Sequence, residues 1–249
     1  MSEIKTIGVI GGGVMGSGIA QALAVGGCTV TVRDLNEQLI EKARETVTNG
    51  RYGLNRGVER GKTTKEDADA ALSRLSFTTS LEDLKDVDLI LEAVPEDLDL
   101  KKKIFSEIDA AVGPGAILAS NTSGLAIADI AAAVSEGRRS KFIGMHWFSP
   151  APVMRLVELV RADSTSEETV QAMESLCERV GKVSIRVKDA PGRYGFVANR
   201  IYFAAVREAQ KVLEEGVANV EDINKAMVYG FNWPVGPLAM IEGATKGWQ

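Results

Sequence analysis

The sequence predicts an α/β protein: a doubly wound sheet with an inserted helical hairpin, followed by a small all-helical C-terminal domain. Three observations carry this. A β-branched run at Ile4–Ile10 leads through a glycine-rich turn into a small-residue helical stretch, Ser17–Val25, and on to a second strand, Thr29–Arg33. That order is the βαβ unit of a parallel sheet. Apolar strands and helical stretches then alternate as far as Val183–Val187, and beyond Asp189-Ala190-Pro191-Gly192 the pattern is helical only.

After Asp34, residues 36–75 read as two helices broken near Gly57 and Gly61, with Thr64 as N-cap before Lys65-Glu66-Asp67-Ala68. This is the helical hairpin, inserted before the next strand at Val87–Val94. A helix at Leu98–Val112, a strand at Ala116–Ala119 and a helix at Ile127–Val134 follow. Strands at Phe142–His146 and Arg155–Val160, a helix at Glu167–Val180 and the strand Val183–Val187 complete a first domain over residues 1–189. The second domain spans 190–249. Its stretch Phe196–Glu214 is apolar on nearly all sides, a pattern that predicts burial all round. About sixty residues are marginal for an independent core, so this domain is expected to pack against the first, a second subunit, or both.

Composition excludes several classes. The chain has 249 residues, 45% of them hydrophobic and 25% charged, proportions of a globular protein rather than a disordered chain or a disulfide scaffold. A net charge of −5 with no basic block argues against nucleic acid as a partner. No apolar run is long enough for a bilayer, and residues 1–20 lack the features of a signal peptide, so no membrane partner and a cytoplasmic location are expected. Cys28 and Cys177 make no zinc pattern and read as buried thiols. The single histidine, His146, rules out a His-rich metal site, and no metal is expected. Acid–base chemistry near neutral pH then rests on His146, a carboxylate, a lysine or a tyrosine.

Gly11-Gly12-Gly13-Val14-Met15-Gly16 satisfies G-x-G-x-x-G between a strand and a helix, with Asp34 twenty-three positions after Gly11. Gly11 permits the tight turn, Gly13 lets backbone approach a pyrophosphate, and Gly16 lets helix and strand pack closely. The helix start, at Val14 and Met15, turns its free N–H groups toward the phosphates. In this context the pattern is a Rossmann-like dinucleotide fingerprint. Asp34 is suited to a ribose hydroxyl and repels a 2′-phosphate, which favours NAD, while Arg33 beside it leaves NADP open.

His146 ends an apolar strand in Gly144-Met145-His146-Trp147-Phe148-Ser149-Pro150. A lone histidine among apolar neighbours is more often a satisfied core residue than a catalyst. Two observations favour the catalyst. Ligands of a doubly wound sheet bind at the C-terminal ends of its strands. Glu158 follows on the next apolar strand, Leu156-Val157-Glu158-Leu159-Val160, where a carboxylate is costly without a partner. Neighbouring strands can set Glu158 against the imidazole, and such a pair beside a nicotinamide is what alcohol oxidation needs. Ser120-Asn121-Thr122-Ser123 also follows a strand end and can either cap the next helix or bind substrate oxygen. Glu96 and Lys101 flank another such position.

With these residues assembled, the chain resembles the 3-hydroxyacyl-CoA dehydrogenases, especially the bacterial 3-hydroxybutyryl-CoA branch. The match is carried by Gly11–Ala20, Glu92-Ala93-Val94-Pro95-Glu96, Ala119–Ser123, Gly144–Glu158, Phe196–Arg200, Gly216–Met227 and Gly236-Pro237-Leu238, nearly end to end. The resemblance implies NAD-dependent interconversion of (S)-3-hydroxyacyl-CoA and 3-oxoacyl-CoA. It makes His146 the general acid/base, Glu158 its orienting partner, and Ser123 and Asn199 ligands of the reacting oxygen or thioester carbonyl. Glu96, Lys101, Ser123 and Ser149 would join Gly11, Gly13, Val14, Met15, Gly16 and Asp34 around NAD. The hairpin would cover an acyl-CoA substrate, and the C-terminal helices would form a homodimer.

Several positions depart from the family. An asparagine usual near the nicotinamide is Ser149 here. Arg193-Tyr194-Gly195 interrupts the usual Pro-Gly-Phe-x-x-Asn-Arg between Pro191-Gly192 and Phe196-Val197-Ala198-Asn199-Arg200. Gly50 and Gly57 stand where relatives use Ser and Lys for CoA, so Arg51, Arg56, Arg60 or Lys62 are candidates for its phosphates. The sequence ends at Lys246-Gly247-Trp248-Gln249, before the family's last helix, so a C-terminal domain that is either naturally short or trimmed is expected. The altered hairpin and hinge keep two alternatives open: the same chemistry on a carrier-protein thioester or free hydroxy acid, and a non-catalytic NAD-binding or structural homologue. Lysine-dependent hydroxyisobutyrate-type dehydrogenases share the glycine turn but do not explain the His146–Glu158 spacing.

Overall fold

The computed structural model describes residues 3–240; the expected short ending at Lys246–Gln249 lies outside them. Eight strands form one sheet: β1 (Thr6–Ile10), β2 (Thr29–Arg33), β3 (Leu75–Thr78), β4 (Leu89–Glu92), β5 (Ile117–Ser120), β6 (Phe142–Trp147), β7 (Leu156–Arg161) and β8 (Val183–Lys188). Their order is β3-β2-β1-β4-β5-β6-β7-β8. All neighbours are parallel except β6 and β7. The chain winds outward from β1 to β3, then returns to place β4 on the other side of β1. That reversal opens a crevice at the C-terminal ends of β1 and β4, the place where such sheets bind ligands.

Period-two alternation builds a core on each face of the sheet. Leu89 and Leu91 join Ile19, Leu23 and Met173 in one cluster, while Ile90 between them joins Phe105 and Ile108 in the other. The helices start where a side chain can accept an end N–H. Asn36 caps α2 (Glu37–Asn49), Asp97 caps α5 (Leu98–Ala111) and Ser166 caps α7 (Glu167–Arg179). Two further helices, α1 (Val14–Val25) and α6 (Ile127–Ala131), flank the sheet. Cys28 and Cys177 are buried free thiols, and burial pushes Cys177 up to about 12.

Residues 36–75 differ from the expected two helices. Beyond α2 they hold α3 (Leu54–Glu59) and α4 (Lys65–Ser73), and they run into strand β3. Gly50 and Gly53 cause the extra break: the Gly53 amide donates to the Gly50 carbonyl at 2.8 Å, and a Cβ on Gly53 would sit 2.7 Å from the Thr48 carbonyl oxygen. Only glycine passes such a turn. Thr64 caps α4 as expected, its hydroxyl accepting from the Asp67 amide at 3.1 Å.

The chain divides into two compact units, Met1–Phe196 and Val197–Gln249. In the second, α8 (Ala198–Glu214) and α9 (Val220–Phe231) enclose a small cluster of Ala209, Ile223 and Leu238. Packing within the second unit does not bury the 196–214 stretch on all sides, a burial for which the expectation also counted a second subunit. Only Val206 and Ala209 of α8 are buried, whereas Ile201, Phe203 and Leu213 are exposed. So small a core cannot cover every apolar face of a helix this long. Among the described residues no helix is long and apolar enough to cross a membrane.

Candidate active site

The glycine turn between β1 and α1 is shaped by backbone contacts that exclude side chains. Gly11 lies in the left-handed region, with φ of 96°, and its amide donates to the Arg33 carbonyl at 2.9 Å. A Cβ on Gly16 would fall 1.8 Å from the Gly11 carbonyl oxygen, whereas one on Gly13 would meet no atom within 4 Å. Gly13 therefore keeps open space rather than a packed contact. No side chain caps the start of α1, and Ser17 turns its hydroxyl back to the Gly12 carbonyl at 2.7 Å. The helix N-terminus is thus left for an anion. Asp34 closes the turn from β2, its carboxylate accepting from the amides of Gly12 and Leu35 at 2.7 Å each. The neighbouring Arg33 guanidinium donates to the Thr79 carbonyl at 3.3 Å.

The two open-and-closed glycines separate cofactor binding from folding. Gly13→Ala is expected to fold with its melting temperature within about 2 °C of the parent and to weaken NADH by about tenfold or more, since one methyl would fill the open space in front of the helix start. Gly16→Ala, which must push backbone aside, is expected to lower the melting temperature itself. Fluorescence titration with NADH beside a thermal melt checks both.

Across the crevice, the end of β4 carries a buried polar cluster. Glu92 and Lys101 are 0% and 1% exposed, with Nζ 2.6 Å from Oε1. The same carboxylate accepts from the Val94 amide and the Ser120 hydroxyl, each at 2.7 Å. Lys101 also donates to the Val94 carbonyl at 3.3 Å and lies 3.5 Å from Glu96. Glu96 in turn accepts from the Thr122 hydroxyl at 2.6 Å and the Ser123 amide at 2.8 Å. The loops after β4 and β5 are thereby locked together. Glu92 was not singled out from the sequence. The signal was there, because it is a carboxylate in a buried strand, just as Glu158 is. Asn121 does neither of the two things the sequence suggests for its segment through Oδ1, which accepts from the Trp147 amide at 2.9 Å and ties the end of β5 to that of β6.

His146 and Glu158 face each other as a register pair of the antiparallel strands β6 and β7. Nδ1 lies 2.8 Å from the carboxylate, and the two residues are 4% and 0% exposed. A carboxylate accepts only, so Nδ1 carries the proton of the neutral ring and Nε2 keeps its lone pair. The rings of Phe148 and Phe196 lie 4.5 and 5.7 Å from the imidazole centroid. Ser123 is half-buried, and among the described residues its hydroxyl has no hydrogen-bond partner. Ser149 is exposed in the loop after β6, and Asn199 lies in the first turn of α8, in the second unit.

On the hairpin side, Arg51, Arg56, Arg60, Lys62 and Lys182 line a cleft of about 330 Å³ that has no acidic residue in its wall. Lys182 donates to the carbonyls of Ala151 and Met154, at 2.7 Å each, and burial pushes its pKa down. Gln21 on α1 donates to the Tyr52 carbonyl at 2.7 Å and holds the hairpin edge.

A doubly wound sheet with an uncapped glycine turn at its switch point defines a dinucleotide-binding protein. Comparison with known proteins gives the family. The profile described as "3-hydroxyacyl-CoA dehydrogenase, NAD binding domain" matches residues 6–190, and that of the "3-hydroxyacyl-CoA dehydrogenase, C-terminal domain" matches 195–248. A probable 3-hydroxybutyryl-CoA dehydrogenase of Bacillus subtilis is 40% identical over 96% of this chain and 81% of its own. The 3-hydroxybutyryl-CoA dehydrogenase of Mycobacterium tuberculosis is 43% identical, over 96% and 82%. The crystal structure of (S)-3-hydroxybutyryl-CoA dehydrogenase from Ralstonia eutropha superposes with a TM-score of 0.89 at 44% identity, covering 96% of this chain and 81% of that one. The chain belongs to the 3-hydroxyacyl-CoA dehydrogenase family, a family of NAD-dependent oxidoreductases.

Proposed function

We propose that the protein interconverts a (S)-3-hydroxyacyl-CoA and the matching 3-oxoacyl-CoA, with His146 as general acid/base. The observation that carries this is the buried His146–Glu158 pair at the C-terminal end of β6. In the oxidation direction His146 Nε2 takes the hydroxyl proton, and the ring, now charged, is stabilised by the Glu158 carboxylate. NAD, when bound, supplies the hydride acceptor. Ser123 and Asn199 hold the reacting oxygen or the thioester carbonyl. Gly11, Gly13, Val14, Met15 and Gly16 hold the pyrophosphate, and Asp34 the ribose. Glu96, Lys101, Ser123 and Ser149 form the nicotinamide side. Arg51, Arg56 and Lys62 take the CoA phosphates in the basic cleft, which compensates for Gly50 and Gly57. The names of the relatives favour a four-carbon acyl group. Exposed Ile201, Phe203, Tyr229 and Phe231 on the C-terminal helices favour a homodimer.

The second reading, a carrier-protein thioester or free acid as substrate, is motivated by the altered hairpin. Initial rates of NADH oxidation with acetoacetyl-CoA, its pantetheine thioester and free acetoacetate decide between them. The CoA thioester is expected to lead in kcat/KM by about tenfold or more, as charge-assisted phosphate contacts would give. Equal rates with the pantetheine thioester would remove the CoA assignment. NADH binding with no turnover of any of the three would favour a non-catalytic homologue.

A further inference from the structure

The segment 191–194 falls between the two stretches matched by the family profiles, and its shape is set by glycine. Gly192 and Gly195 both lie in the left-handed region, with φ of 80° and 85°, on either side of Arg193-Tyr194. Side chains rarely adopt that conformation, so the turn is pinned at both ends. It exits between two parts of the site. A Cβ built on Gly124, next to Ser123, would sit 2.4 Å from the Gly195 nitrogen and 2.7 and 2.9 Å from Cδ2 and Cε2 of Tyr194. One residue further on, the Phe196 ring lies against His146. The Tyr194 ring thus rests on the turn that follows Ser123. It is near enough to Glu96 that burial and the carboxylate charge together hold its phenol above the ordinary tyrosine range.

An aromatic ring packed on a glycine yet 64% exposed is not a core residue. Its free face is surface held in place beside the reacting groups. Phe148 and Phe196 already wall the imidazole. We propose that Tyr194 is a specificity-determining residue: its ring closes the Ser123–Gly124 side of the site and restricts the substrate to short 3-oxoacyl chains. This rests on the thioester reading above. An acyl chain that runs from the reacting carbon past Ser123–Gly124 meets this ring as it lengthens.

The test compares kcat/KM for four- and eight-carbon 3-oxoacyl-CoA substrates in NADH oxidation. Tyr194→Ala is expected to raise the eight- to four-carbon ratio by about tenfold or more, the scale at which a pocket discriminates added methylenes. Because the side chain is mostly exposed, truncation costs little stability. Tyr194→Phe keeps the ring and is expected to keep the wild-type ratio within about twofold. Gly124→Ala, whose methyl would fall 2.4 Å from the Gly195 nitrogen and 2.7 Å from the ring, must displace the whole turn that carries Tyr194 and is expected to shift the ratio in the same direction as Tyr194→Ala. A ratio within about threefold of wild type in Tyr194→Ala would overturn the assignment while the thioester reading stands. Failure of the wild-type enzyme to oxidise NADH with either thioester would overturn that reading and the proposal with it.

Discussion

His146→Gln is expected to lower kcat for acetoacetyl-CoA reduction by about 10²–10⁴, the usual share of a positioned general acid or base, with the NADH Kd within about twofold of wild type. Glutamine is the informative replacement because it separates chemistry from folding. Glu158 is fully buried on a strand, so removing the imidazole outright would take away the N–H donor that its carboxylate holds at 2.8 Å. An amide at position 146 still offers Glu158 an N–H donor but has no nitrogen able to take and return a proton. Glu158→Gln probes the other half of the pair. Its neutral amide no longer stabilises the charged imidazole, and it can turn its NH₂ toward Nδ1 and fix the wrong tautomer. A fall in kcat on the order of 10² or more is expected, with KM nearly unchanged, because Glu158 acts through His146 rather than on substrate. A loss smaller than about a hundredfold in His146→Gln would remove the acid–base assignment.

What could be read in the sequence follows how much each feature depends on tertiary context. The central strands are buried on both faces, so Ile7–Ile10 and Leu89–Leu91 are written as apolar runs. The glycine turn has a fixed spacing because a helix must start within a few residues of the strand end. The His146–Glu158 contact was legible because a carboxylate inside an apolar strand demands a partner, and adjacent strands offer one. β3 was not legible: four residues at a sheet edge, all half-buried or exposed, carry no apolar run. Lys101 was harder still. Its place near a strand end is readable, its burial is not, because in Leu100-Lys101-Lys102-Lys103 nothing local sets the first lysine apart from the two that follow. Only the packing of α5 against β4 decides that the first of them is fully buried. Tyr194 depends on a turn whose direction is set by two glycines, and no local pattern shows where such a turn will lead.

Lys101→Met is the sharpest stability test, with an expected loss of about 3–5 kcal/mol, the usual result of stranding one member of a buried ion pair. In a unit of this size that is a drop of about 10 °C in melting temperature. Methionine fills nearly the same volume, so the loss is electrostatic rather than a cavity effect. Glu92 would keep the Val94 amide and the Ser120 hydroxyl as donors, but it would lose the Lys101 ammonium, the one cation within hydrogen-bond distance among the described residues. Adding Glu92→Gln to the same chain removes the uncompensated charge, and the double variant is expected to recover most of the lost stability. Cofactor affinity should not recover with it. Lys101 also holds the Val94 carbonyl and lies beside Glu96 in the loop after β4, and neither substitution restores those contacts. NADH binding weakened by about tenfold in a double variant of near-normal melting temperature would show that Lys101 positions the cofactor-side loop as well as balancing Glu92. Affinity that returns together with stability would confine it to the second role.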